Sequence, residues 1–118
     1  MLHQPADVIP LFPYPLHHFE VMGVYFLTKD NALISSVYYH GESDYVTVPI
    51  GKIVSKAISL GAGKVVLVHN HPSGDTQMSE DDCRTANTLL HRLFPQGILL
   101  TGYFAVHGSR YTSWDGYV

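Results

Sequence analysis

Apolar residues recur along this chain in two rhythms. Between Phe19 and Leu27 the run FEVMGVYFL is almost continuously apolar and β-prone, the pattern of a strand buried on both faces. Lys29-Asp30-Asn31 supplies turn chemistry, and Leu33 to His40 reads as the second strand of the same hairpin. Gly41 to Asp44 interrupts it, and a short third strand is expected at Tyr45 to Val48. After Pro49 the rhythm turns helical: Ile53, Ala57, Ile58 and Leu60 follow one face until Gly61 and Gly63 stop it. Val65 to Val68 is a short β-branched interior strand that runs into the turn-prone letters HNHPSGD. Ser79 opens a second helix with Asp82 as its capping partner. Ala86, Leu89, Leu90 and Leu93 form that helix's buried face, and Phe94-Pro95 ends it. Ile98 to Val106 and Arg110 to Thr112 make a closing hairpin around His107-Gly108-Ser109. Residues 1–17, with Pro5, Pro10, Pro13 and Pro15, read as an extended lead-in packed down by Leu11, Phe12 and Tyr14. The order predicts an α/β sandwich around one sheet, a single domain over residues 18–118 behind the lead-in.

Composition narrows the picture. A chain of 118 residues, 46% hydrophobic and 14% charged, suits one packed domain rather than a disordered tail. Seven Lys+Arg against ten Asp+Glu leave a net charge of -3, so a nucleic-acid partner is not supported. No apolar run approaches the roughly 20 residues of a membrane helix. The first ten residues lack the charged start and apolar stretch of a signal peptide, and one cysteine, Cys83, forms no internal disulfide. The cytoplasm is the expected address. Cys83 reads as a half-buried helix residue.

Eight histidines are unusual for this length, and His69 and His71 stand two apart at the end of a strand. Residues i and i+2 of a strand point to one side, so two imidazoles there can converge on one metal ion. A catalytic zinc site takes three protein ligands and leaves one position open. Asp82, one helical turn beyond Ser79, is the favoured third ligand; Asp81 points away, and Cys83 is geometrically open as an alternative. Glu20, a carboxylate inside an apolar run, is the candidate proton acceptor, because a charge in such a place calls for a partner or a task. The blander alternative pairs it with His17 or His18.

The segment HNHPSGDTQMSEDD resembles the metal-binding signature of the JAMM metalloproteases, and within them the bacterial RadC proteins. The JAMM pattern of a Glu, His-x-His, seven residues, Ser, two residues and Asp maps onto Glu20, His69, His71, Ser79 and Asp82. GILLTGYFAVHGSRYTS resembles the RadC closing hairpin, so the likeness runs from about residue 18 to 113. It implies a three-layer JAMM fold similar to cytidine deaminases, with a mixed β-sheet flanked by helices. It also implies one Zn²⁺ per chain, held by His69, His71 and Asp82. Water then attacks a peptide or isopeptide bond, Glu20 accepts its proton, and Ser79 donates a hydrogen bond to the developing oxyanion. The implied partner is a peptide or protein-conjugate substrate.

The sequence departs from the family pattern in four places. Gly102-Tyr103 stands where RadC proteins usually have Asp-His, and Thr76 and Met78 stand where prolines are common. Ser35 and Ser36 replace an acidic pair, and the usual helix-hairpin-helix region has no counterpart before Phe19. Tyr103 is a candidate to flank a peptide groove. Spacing excludes an HNH nuclease, a zinc deaminase with its Pro-Cys-x-x-Cys, and a cupin with its Glu soon after His-x-His. A zinc-binding module without turnover, in DNA repair or phage-related functions, is the competing expectation.

Overall fold

The computed structural model describes residues 2–41 and 47–116. β1 (Val21–Leu27) and β2 (Leu33–His40) form the antiparallel hairpin expected from the sequence, with Asn31 in the left-handed turn conformation at φ 69°. Every residue of β1 is buried. The strand read at Tyr45–Val48 lies partly outside the described residues, and Thr47 and Val48 are not in a strand.

α1 (Ile50–Leu60) buries Ile53, Val54 and Ala57 and ends at Gly61, whose left-handed φ of 67° caps it. Ile58, expected on the buried face, is half exposed: it follows Ala57 by about 100° around the helix, which turns it off the sheet. β3 (Lys64–Asn70) then enters the centre of the sheet. α2 (Glu80–Leu93) carries the chain back so that β4 (Leu99–His107) runs parallel to β3, and β5 (Arg110–Ser113) closes the edge. The sheet order is β2-β1-β3-β4-β5, one parallel pair among antiparallel ones.

Alternation sorts the strands into two cores. Met22, Val24, Phe26, Val65 and Leu67 meet the buried faces of α1 and α2 on one side of the sheet. Val21, Tyr25, Val66, Val68, Phe104 and Val106 meet Val8 and Phe12 on the other. The molecule is thus a mixed sheet flanked by helices, but both α-helices share one face. The opposite layer is the lead-in, which corrects its expected extended form: Pro5–Leu11 is a 3₁₀ helix. Pro5 at its start suits the conformation, and Val8 is fully buried while Leu11 is 44% exposed.

β4 contains an irregularity. Val65 pairs with Leu100 but Val66 pairs with Gly102, so Thr101 is an extra residue in the register. Beyond that slip the facing of β4 is reset, and Tyr103 joins Leu100 in the helix-side core.

Candidate metal centre

The parallel β3–β4 pair decides where chemistry can occur. α2 must start above the carboxyl end of β3 to return to the beginning of β4, and ligands in α/β sheets gather at such strand ends. His69 is the penultimate residue of β3, paired across the sheet with Met22 and Ala105 on the helix side. His71 is the first residue after the strand, tied to β4 by its N–H to the Val106 carbonyl at 2.9 Å. Asp82 stands in the first turn of α2. Glu20 directly precedes β1, beside β3.

These four side chains meet. Glu20 Oε1 lies 3.3 Å from His69 Nε2, and Asp82 Oδ2 lies 3.4 Å from His69 Nε2 and 3.2 Å from His71 Nε2. One ligand atom from each residue falls within 4.8 Å of the others. His69 is fully buried and Glu20 is 5% exposed. Glu20, His71 and Asp82 open onto a cleft of about 630 Å³ lined also by Met22, Val48, Ser79 and Tyr103.

The donor set fits a divalent cation. His71 Nδ1 donates to the Asp75 carbonyl at 2.6 Å, which fixes the tautomer and leaves Nε2 as the lone pair turned into the cluster. His69 Nε2 faces His71 Nε2 at 2.6 Å, too close for two bare lone pairs, so a proton lies between them until a cation displaces it and parts the rings. Two zinc bonds at a tetrahedral angle hold their donors roughly 3.3 Å apart, near the separations that Asp82 makes. Two imidazoles and a carboxylate match zinc's N and O preferences.

Electrostatics prepares the same three groups. Burial pushes the His69 imidazole down, against the pull of Asp82, and so favours its neutral, ligating form. The Asp82 hydrogen bond raises His71. Burial alone would raise the Asp82 carboxyl, but hydrogen bonds from His69 and His71 overcome it and hold the group well below the usual carboxylate range.

Ser79 is the N-cap of α2. Its hydroxyl accepts the Asp82 N–H at 3.0 Å, and its own N–H donates to Asp82 Oδ2 at 3.0 Å. Asp82 therefore serves cap and cluster with one carboxylate. The cap uses an acceptor lone pair of the Ser79 hydroxyl and does not consume its O–H. Asp81 points away into an ion pair with Arg84, and Cys83 packs half-buried against the helix-side core, outside the ligand cluster. His17 packs against Tyr14, His40 and Phe19.

Three residues brace or wall the site, and of these only Tyr103 was singled out by the sequence. Tyr103, the candidate groove flank, is a buried wall of the cleft: its ring lies 5.0 Å from that of His69, and its hydroxyl reaches Asp82 Oδ1 at 3.5 Å. His107 donates from Nδ1 to the His71 carbonyl at 3.0 Å. Arg110 holds the Gly74 carbonyl at 2.9 Å. The β4–β5 hairpin thereby braces the HNHPSGD loop.

An α/β sheet that brings two buried-to-half-buried imidazoles and two carboxylates to the end of a central strand defines a domain whose side chains could hold a metal ion. The chain belongs to the RadC-like JAB domain family, whose model matches residues 2–117. It is 33% identical over 92 residues to a UPF0758 protein of Rhodobacter capsulatus, covering 77% of this chain and 43% of that one. A UPF0758 protein of Carboxydothermus hydrogenoformans is 28% identical over 112 residues, 92% of this chain and 50% of the relative. One from Chloroflexus aggregans is 26% identical over 92 residues, 75% and 40% of the two chains. The chain thus spans half or less of the length of these curated relatives. Among the described residues no helix is long and apolar enough to cross a membrane.

Proposed function

We propose that this domain is a zinc-dependent peptidase or isopeptidase, acting on a peptide or protein-conjugate substrate. One observation carries the reading: a buried carboxylate, Glu20, stands 3.3 Å from the inner imidazole of a His-His-Asp set, in an open cleft. A site that only holds a metal has little use for a second carboxylate at that position.

His69, His71 and Asp82 are the residues that would hold zinc. When bound, zinc lowers the pKa of a coordinated water to roughly 7 and polarises a carbonyl. Glu20 takes the proton of the attacking water on its carboxylate and returns it to the leaving nitrogen as the C–N bond breaks. The Ser79 O–H, spare beside its capping bond, donates to the developing oxyanion. Tyr103 and Met22 wall the cleft and limit water around the reacting bond.

Zinc content per chain and turnover of peptides and ubiquitin-like conjugates, measured before and after Glu20→Gln, test this together. About one zinc per chain is expected in both proteins, with turnover lowered about 10²- to 10⁴-fold by the substitution. Zinc bound equally, with no activity on any substrate changed, returns the domain to a non-catalytic zinc module.

A further inference from the structure

Between the two histidines stands Asn70, fully buried, its side chain on the sheet face opposite theirs. Its carboxamide is completely engaged with one short segment. Nδ2 donates to the His17 carbonyl at 3.1 Å and to the Phe19 carbonyl at 2.9 Å. Oδ1 accepts the Val21 N–H at 2.6 Å. Both hydrogens and the oxygen of one amide are used.

Those partners bracket Glu20. The Phe19 carbonyl belongs to the peptide unit before the Glu20 Cα, and the Val21 N–H to the unit after it. A single carboxamide therefore holds both peptide planes about which the Glu20 backbone turns. The Glu20 carbonyl completes the restraint by accepting the Gly41 N–H at 2.8 Å. No other side-chain type of this size offers two donors and an acceptor in one plane; Asp supplies acceptors only, and Leu neither.

We infer that Asn70 is the positioning residue for Glu20. It sets the carboxylate relative to the imidazole pair without touching substrate or metal. Within His-Asn-His, the outer residues face the cation site and the middle one ties down the acid across the strand, so three consecutive residues fix the distance between base and ligands. The inference rests on the reading of Glu20 as general base. A base misplaced by about 1 Å loses roughly 10²-fold in rate while binding persists.

The experiment compares Asn70→Ala with the native protein and with Glu20→Gln. In Asn70→Ala, zinc per chain is expected to stay at about one. kcat on whichever peptide or conjugate substrate the native protein turns over should fall about tenfold to hundredfold, with KM within about twofold. The double variant should be little worse than Glu20→Gln alone, because a displaced base has little left to lose.

Amide hydrogen exchange gives a readout that does not depend on turnover. The Val21 N–H should be protected in the metal-free native protein and exchange much faster in Asn70→Ala, with the amides of Val65 to Val68 unchanged. Loss of zinc together with global loss of protection would assign Asn70 to the fold instead and overturn the inference. If Asn70→Ala cannot be recovered folded, rapid Val21 exchange in the native protein overturns the inference, and slow exchange there, with the kcat loss in Asn70→Ser, supports it. If Glu20→Gln abolishes turnover while Asn70→Ala leaves kcat and Val21 exchange as they were, this inference alone fails. If Glu20→Gln is silent on every substrate, the general-base reading fails.

Discussion

His71 uses both ring nitrogens: Nδ1 gives its hydrogen to the Asp75 carbonyl, and Nε2 faces the other ligands. Without a cation, Asp82 draws a proton onto that Nε2, which raises the imidazole above its ordinary value. The sign for metal binding follows. The proton competes with the cation for one lone pair, so zinc affinity should hold at high pH and start to fall while the pH is still above the usual histidine range. His69 adds nothing to this early loss, since burial keeps it neutral to lower pH. Chelator competition from about pH 8.5 to about pH 5.5 should show a decline of up to about tenfold per unit once His71 protonates. Affinity flat to pH 6 would mean that His71 is not a ligand. At this scale the ligands were legible because their spacing is a strand-and-helix rhyme. Asn70 and His107 were not, because each acts on groups distant in sequence: His107 on a carbonyl 36 residues away, Asn70 on one 53 away.

At the scale of elements, the first turn of α2 performs two tasks with one carboxylate. The capping box orients Asp82 so that the oxygen receiving the Ser79 N–H also faces both imidazoles. Cap and ligand cluster are therefore coupled through one carboxylate. Ser79→Ala removes the hydroxyl that receives the Asp82 N–H, with an expected loss of about 1 kcal/mol in denaturant unfolding of the metal-free protein. Zinc affinity should fall as well, because Asp82 is then held from one side only. A stability loss with unchanged affinity would separate the two tasks. The second helix and both main hairpins were predictable from apolar periodicity and turn residues. The slip at Thr101 was not: simple alternation from Leu100 puts Tyr103 on the wrong face, and only the inserted residue returns it to the site.

Over the whole molecule, two apolar layers sandwich the sheet and neither includes the ligand nitrogens. The candidate cation site sits at one end of that sandwich, so folding is not expected to wait for metal as it does in a zinc finger. Chelation should leave far-ultraviolet circular dichroism unchanged. It should remove only the linkage term, about 2.7 kcal/mol at free zinc a hundredfold above Kd, read as a Tm lower by roughly 10 °C. Complete unfolding on chelation would show that the ion holds the sheet together. The lead-in contributes to this independence, because Val8 and Phe12 cover the face that α1 and α2 leave open.

The linear order of residues determined the strand and helix identities, the cap at Ser79 and the ligand types, since these depend on local periodicity and short spacing. Tertiary structure alone decided three further points. It put Glu20 within 3.3 Å of His69, folded a proline-rich segment into a 3₁₀ layer, and set Asn70 to brace both peptide planes of Glu20. The reason is common to all three: each depends on which backbone lies across the sheet, and no periodicity within a segment encodes what the neighbouring strand or layer presents.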